Sequence, residues 1–428
     1  MLARIDLRGN FDDLRAVLAR PEVDAADLSA AVAEIIDDVR TRGAAAVREL
    51  TARLDGVDVV DPRVGADEIS AALERISPGL RAALELARDQ IVAWHEAQRE
   101  REPRHERLGV EVLEMVVPVD RAGCYVPGGR APLASSVLMT VLTARVAGVP
   151  EVVLCSPPGR DGRVDDAILA AAAIAQADEV YAIGGAQAVA AMAFGAGALR
   201  PVDVIVGPGN AYVVEAKRQV FGTVGIDGLA GASEVAIVAD GTVDPAWIAA
   251  DLLAQAEHGP GGAVALIVWD DEVAERVDLA LETLLVVAPR RDEAISTLEA
   301  GGRVIFVDDA ARAMDAANAI APEHLELMCA GADLLVSLVR NAGAVFVGAH
   351  APAVIGDYVA GTNHVLPTGG TARFASALRV ADFQKHIHVV HADAAALARV
   401  GPAARSIAEA EGLFAHADAV RLREEAES

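Results

Sequence analysis

Several short stretches of this chain carry residues able to do chemistry. In Gln255-Ala-Glu-His258-Gly-Pro, Gln255 and His258 stand three apart on a helix-like run and share a face. Glycine and proline then stop the helix, which puts both near its C-terminal end. A glutamine and a histidine converging on one point can bind a metal, although a histidine there equally suits a surface. In Pro322-Glu323-His324-Leu-Glu326, a Glu–His neighbour pair offers a base near neutral pH with a second carboxylate close by. Taken alone, such a pair is common in acidic proteins. Ile355-Gly-Asp357 opens a polar, glycine-punctuated stretch that runs through Asn363-His364 to Thr368. Long loops of this kind in α/β proteins tend to be functional. Glu411-Gly-Leu-Phe-Ala-His416 reads on its own as a helix with a terminal cap.

Val206-Gly-Pro-Gly-Asn-Ala-Tyr212 follows an apolar strand and opens a helix, a context in which backbone amides cradle an anion. The dinucleotide fingerprint wants a third glycine where Tyr212 stands, so the match is partial. His386-Ile-His388-Val-Val-His391 would put His386 and His388 on one face of a strand. No acidic or cysteine residue neighbours them in sequence, and they read as a solvated or packing cluster. Cys124 could act as a covalent nucleophile that adds to a carbonyl carbon as a thiohemiacetal, but no base neighbours it.

The elements that must position these residues are visible in the hydropathy. Apolar runs at 152–155, 180–183, 202–206, 235–238, 264–269, 304–307 and 344–347 are too apolar to alternate, as expected for strands covered on both faces. Helix patterns lie between them near 165–176, 186–194, 211–220, 245–257, 271–285 and 309–319. This alternation predicts parallel α/β sheets, two Rossmann-like lobes in all. Residues 25–54 and 66–98 read as charged amphipathic helices, and 99–107 as a solvated connection. The stretch 180–199 carries no charge, yet Gly184-Gly185 after Val-Tyr-Ala-Ile predicts strand, turn and buried helix rather than a membrane span.

The chain has 428 residues, with 37 Lys+Arg against 63 Asp+Glu, a formal charge of −26. So acidic a chain would be repelled by nucleic acid and by anionic membranes. Its 53% hydrophobic content excludes disorder and provides for a sizeable core. Cys124, Cys155 and Cys329 are too few and too scattered for a disulfide framework, which predicts a reducing, cytoplasmic setting. Asp6 stands where an export signal would need an apolar run.

Taken together and in this order, the motifs resemble the histidinol dehydrogenase family. The resemblance runs from Ile5-Asp-Leu-Arg through Gly123-Cys-Tyr-Val-Pro-Gly-Gly-Arg-Ala-Pro132, Gly184-Gly-Ala-Gln187 and Gly207-Pro-Gly-Asn210. It continues through Glu215-Ala-Lys-Arg218, Ile226-Asp-Gly-Leu-Ala-Gly-Ala-Ser233-Glu, Asp251-Leu-Leu-Ala-Gln255-Ala-Glu-His258 and Pro322-Glu-His-Leu-Glu326 to the closing Ala-His416. Ala232 stands where the family usually has proline, Leu133-Ala134 where it has Tyr-Pro, and Val204 where it commonly has lysine.

The resemblance implies Zn²⁺ held by Gln255, His258, Asp357 and His416. Two imidazole nitrogens and two oxygens suit zinc, although the spacing alone would not choose it over manganese or cobalt. It also implies NAD⁺ contacts at Tyr125, Gln187 and Asn210, and a homodimer in which Glu411 and His416 reach the partner's site. Glu323 and His324 would be catalytic. Ser233, His364 and Glu411 would hold L-histidinol, together with the metal ligands and His324. The implied domains are a terminal segment 1–24, a discontinuous α/β domain 25–124 with 234–378, a second α/β domain 125–233, and a C-terminal segment 379–428. A dehydrogenase of another primary alcohol, such as a sulfonated diol, is the nearest alternative. A metallohydrolase, or a binding protein with a vestigial site, would be of a different class.

Overall fold

In a computed structural model of the chain, residues 2–9, 13–18, 26–99, 102–128, 132–259 and 261–426 are described. Gly129-Arg-Ala131 of the motif beginning at Gly123, and Pro260, lie outside them. The strands are β1 Ala3–Asp6, β2 Arg104–Arg107, β3 Val110–Pro118, β4 Arg121–Tyr125, β5 Glu151–Ser156, β6 Glu179–Ala182 and β7 Val204–Val206. They continue as β8 Gly225–Ile226, β9 Glu234–Ala239, β10 Ala263–Val268, β11 Gly302–Phe306, β12 His324–Met328, β13 Ala344–Val347 and β14 Gln384–His391. The chain divides into two compact units, Met1–Gln98 with Asp120–Asp382, and Arg99–Val119 with Phe383–Ser428.

The first unit contains two parallel sheets. One has the order β1-β11-β10-β9-β12-β13, the other β6-β5-β4-β7-β8. β9 shows why a run without polar alternation forms a strand here. Val235, Ile237 and Ala239 enter one core, with helices Pro245–Ala256 and Asp271–Val287. Ala236 and Val238 enter the opposite core, with helix Ala310–Ile320. Both faces are covered, so both must be apolar.

The second sheet is built the same way. Its helix Gly185–Phe194 is almost wholly buried, which accounts for the uncharged stretch 180–199 without a membrane. No described helix is long and apolar enough to cross one. One packing arrangement departs from the expected domain limits. Helix Ala26–Arg42 sets Val32, Ile35, Ile36 and Val39 into the core of this second sheet, beside Tyr125, Val153 and Val189. The apolar stripe of that helix fits the small alanine side chains of Gly185–Phe194, so residues 26–54 belong with the second sheet. Residues 3–6 likewise add β1 to the first sheet, paired parallel with β11.

The second unit holds an antiparallel sheet, β14-β3-β2, and helices Ala394–Ala410 and Phe414–Ala426.

Candidate active site

Three elements of the larger sheet's unit bring the expected residues together. Asp244 caps helix Pro245–Ala256 by accepting from the Ala246 amide at 2.9 Å, and Pro245 takes the first turn where its missing N–H costs nothing. The helix ends one residue after Gln255, and Gly259 turns the chain away at φ +103°. Gln255 and His258 therefore sit at the C-terminal end, where the negative end of the helix dipole favours a cation. The side-chain nitrogen of Gln255 is buried with no hydrogen-bond partner. His258 is lowered from its ordinary value, first by burial, while the nearby Asp357 carboxylate opposes that shift.

Glu323 and His324 are 5% and 4% exposed, with His324 opening β12 and Glu323 just before it. Residue Glu234, at the head of the neighbouring strand β9, brackets both. Its amide donates to Glu323 Oε2 at 2.9 Å, and its carbonyl faces His324 Nδ1 at 3.2 Å. The carbonyl accepts, so Nδ1 carries a hydrogen and Nε2 is the working nitrogen. Nε2 lies 3.3 Å from Asp357 Oδ1. Burial pushes the Glu323 carboxyl up to about 7. Burial opposes charge on His324 as well, but Asp357 and Glu323 outweigh it and raise the ring to about 9. Each ring nitrogen then faces an acceptor, as an imidazolium requires. Asp357, on helix Ala353–Tyr358, resists burial and stays below its ordinary value because His324, His364 and His258 surround it.

His364, expected to hold the substrate, makes contacts of its own within the chain. Its Nδ1 lies 2.9 Å from the Asp357 carbonyl and its Nε2 2.9 Å from the Ser136 hydroxyl. Both nitrogens are engaged, so the ring holds Asp357 in place. Ser233 immediately precedes β9 and is half-buried. Glu411 and His416 are exposed residues of the second unit, at the end of helix Ala394–Ala410 and early in helix Phe414–Ala426. Among the described residues, no group of three or more His, Cys, Asp or Glu side chains is gathered as a metal cage. Of the four expected ligands, one is a glutamine and one lies in the second unit.

The expected cofactor residues lie at the C-terminal edge of the smaller sheet. β4 and β7 adjoin there while the chain runs outward from them in both directions, the switch point where α/β sheets take ligands. Gly207 has φ +117°, and a Cβ there would stand 2.0 Å from the Tyr125 carbonyl oxygen, so only glycine fits. Tyr125 and Gln187 are 3% and 1% exposed. The Tyr125 hydroxyl accepts from the Gly185 amide at 3.1 Å, and Gln187 Nε2 donates to Asp55 at 3.2 Å. Asn210 is exposed, and its Oδ1 accepts from the amides of Tyr212 and Val213 at 3.0 and 3.2 Å. Those are the amides an anion would use at this helix start. The expectation of an open anion cradle is corrected accordingly.

Cys124 is wholly buried, and burial pushes its thiol up to about 12, which removes it as a nucleophile. His386 and His388 do share a strand face, and they meet an acid distant in sequence. Glu114 of β3 lies 2.7 Å from His386 and 3.5 Å from His388.

Sequence reasoning gave no role to Glu234, Ser136, Asp251, Asp227 or Lys217. Buried Lys217 donates to the Gly207 carbonyl at 3.0 Å and pairs with Asp227, which in turn accepts from the Gly207 amide at 2.7 Å. The one available signal was an acidic residue one turn before Gln255, namely Asp251.

Known proteins resemble the chain over nearly its whole length. The sequence model of the histidinol dehydrogenase family matches residues 18–424. A histidinol dehydrogenase of Rhizobium meliloti (strain 1021) is 48% identical over 414 residues, which is 96% of this chain and 95% of that protein. One of Thermobifida fusca (strain YX) is 47% identical, covering 99% and 98%. The crystal structure of histidinol dehydrogenase from Elizabethkingia anophelis superposes with a TM-score of 0.95 at 35% identity, covering 99% of this chain and 98% of that one.

Proposed function

The chain belongs to the histidinol dehydrogenase family, and from that premise we propose that it oxidises L-histidinol to L-histidine by way of L-histidinal in histidine biosynthesis. The overall change is L-histidinol + 2 NAD⁺ + H₂O → L-histidine + 2 NADH, with release of protons. The observation that carries this reading is the buried Glu323–His324 pair, bracketed by Glu234 and 3.3 Å from Asp357.

The donor set fits a zinc ion. Gln255 has a buried, unpartnered amide end, and amide oxygen and nitrogen are interchangeable by rotation. His258 follows Gln255 by three residues and has the Asp357 carboxylate near it, and His416 of the partner subunit would complete the set in a homodimer. When bound, zinc would supply a template that orients the substrate, and NAD⁺ would supply the acceptor for two hydrides. Neither role requires the metal to polarise the alcohol.

The remaining work falls to this chain's own residues. Nε2 of His324, once unprotonated, takes the alcohol proton as the first hydride leaves, while Nδ1 stays on the Glu234 carbonyl. Glu323, deprotonated above about pH 7, draws a proton from water as that water adds to the aldehyde carbon. His324 acts again as the hydrate loses its hydride. Burial of both groups keeps bulk water from the reactive amino aldehyde. Ser233 and Glu411 hold the substrate, Glu411 opposite its ammonium group. Tyr125, Gln187 and Asn210 line the cofactor edge.

Incubation of the purified protein with L-histidinol and NAD⁺, with L-histidine followed by chromatography, tests the proposal. Appearance of L-histidine in step with NADH supports it. Histidinol left unchanged while NAD⁺ stays oxidised would refute it.

A further inference from the structure

Behind the catalytic pair lies a second pair of acids. Glu326 is 1% exposed, and its Oε2 is buried with no N–H or hydroxyl donor. The group facing it is the Asp251 carboxyl. Two carboxylates in contact cannot both stay ionised away from water, so they hold one proton between them. Burial, reinforced by the neighbouring acid, holds Glu326 well above the ordinary carboxyl range, and burial raises Asp251 as well.

The placement of the pair gives it a use. Asp251 lies on helix Pro245–Ala256, one turn ahead of Gln255. Glu326 lies on β12 two residues after His324, on the same strand face. Its other oxygen accepts at 2.8 Å from the amide of Ala353, the first residue of the helix that carries Asp357. One acid pair thus touches the three elements that bear Gln255, His258, His324 and Asp357.

We propose that Asp251 and Glu326 are a positioning pair, whose contact fixes helices Pro245–Ala256 and Ala353–Tyr358 against β12 in the geometry the reaction needs. This rests on the reading of Gln255, His258 and Asp357 as metal ligands. Neither acid is among the residues proposed to hold the substrate. The alternative partners around the pair are few. At the register of Glu326, β9 presents Ile237 and β13 presents Phe346. Helices Asp271–Val287 and Arg291–Gly301 pack on Pro245–Ala256, and their buried faces carry Val273, Ala274, Val277 and Leu281, and Ala294, Thr297 and Leu298. The titratable groups facing or flanking the pair are His324 of β12, Asp357 of the Ala353–Tyr358 helix, His258 beyond Gln255, and His350, whose ring lies 5.4 Å from that of Trp247.

The test compares Glu326→Gln with Glu326→Leu. Glutamine can donate to Asp251 through its amide and still accept from Ala353, so it keeps the bridge without a shared proton. Leucine removes the bridge and leaves the Ala353 amide unpaired. Zinc retained after a chelator challenge, kcat and KM, and the thermal midpoint from pH 6 to 9 are measured. Loss of such an outer contact costs about 10–100-fold in metal affinity or activity. The leucine variant should show that loss in zinc retention and in kcat, and the glutamine variant should recover most of it. Carboxyls raised above their ordinary range in the folded state mean stability that is lost as pH rises above that range. The wild-type midpoint should therefore fall with pH more steeply than that of Glu326→Gln.

Wild-type zinc retention and kcat in Glu326→Leu would overturn the proposal, as would equal damage in both variants or equal pH slopes. If the leucine variant does not fold, Asp251→Ala and Asp251→Asn carry the same comparison. The midpoint measurement needs neither histidinol nor NAD⁺. A flattened slope in a protein inactive on histidinol would therefore sink the substrate reading and leave the pair standing.

Discussion

Replacing Glu323 by glutamine isolates its basicity from its place in the fold. The amide oxygen that Glu323→Gln introduces can still accept from the Glu234 amide, the 2.9 Å bond that anchors the side chain. What is lost is a base. A positioned general base contributes about 10²–10⁴-fold, or about 3–5 kcal/mol of barrier. That loss should fall on oxidation of histidinal, where water must be activated. Oxidation of histidinol, which needs only His324, should fall by less than about 10-fold. Stability should move the other way. Burial raises the carboxyl from its ordinary 4.5 to about 7, so ionising it in place costs on the order of 3 kcal/mol. Stability present below pH 4.5 is lost as pH rises through about 7, and glutamine escapes that loss. Above about pH 8, Glu323→Gln should melt at or above the wild-type midpoint while failing at the second oxidation. The assay supplies histidinol and histidinal separately and follows NADH in single turnovers, with a parallel thermal scan. Equal damage to both half-reactions would refute the water-activating role of Glu323.

Other outcomes follow from the same geometry. His258→Ala should lose zinc, read by elemental analysis after gel filtration, and full occupancy at unchanged affinity would show that the ligand set is wrong. Cys124→Ala should leave histidinal oxidation within about threefold of wild type, because a buried thiol raised to about 12 is not a nucleophile. Loss of that half-reaction alone would revive the thiohemiacetal. In wild type, kcat/KM for histidinal oxidation should rise from pH 6 to 8, since Glu323, raised to about 7 by burial, must be unprotonated to act as a base. A profile that falls over that range would contradict its assignment.

The hydropathy carried the sheets. β5, β6, β9, β10, β11 and β13 fall within a residue or two of the apolar runs, because strands covered on both faces leave no other pattern. The helix end at Gln255 and His258 was equally legible, since Gly259 stops it. Which sheet a helix joins was not legible. The stripe Val32, Ile35, Ile36 and Val39 specifies only an apolar partner, and the partner is a matter of tertiary packing. Long-range contacts were hidden for the same reason. Glu234 is 89 residues from Glu323 and Ser136 is 228 from His364, yet these contacts set the geometry of the base and of Asp357. His386 and His388 looked unpaired because Glu114 lies on another strand. The capping role of Asn210 was not read from sequence either, and its side chain takes up the amides that the glycine motif pointed to.

A four-electron oxidation carried out at one site yields two NADH for each histidinol consumed. The ratio is counted with histidinol limiting and NAD⁺ in excess. Two are expected. A count of one, with free histidinal accumulating, would show that oxidation stops at the aldehyde and would refute the proposed reaction.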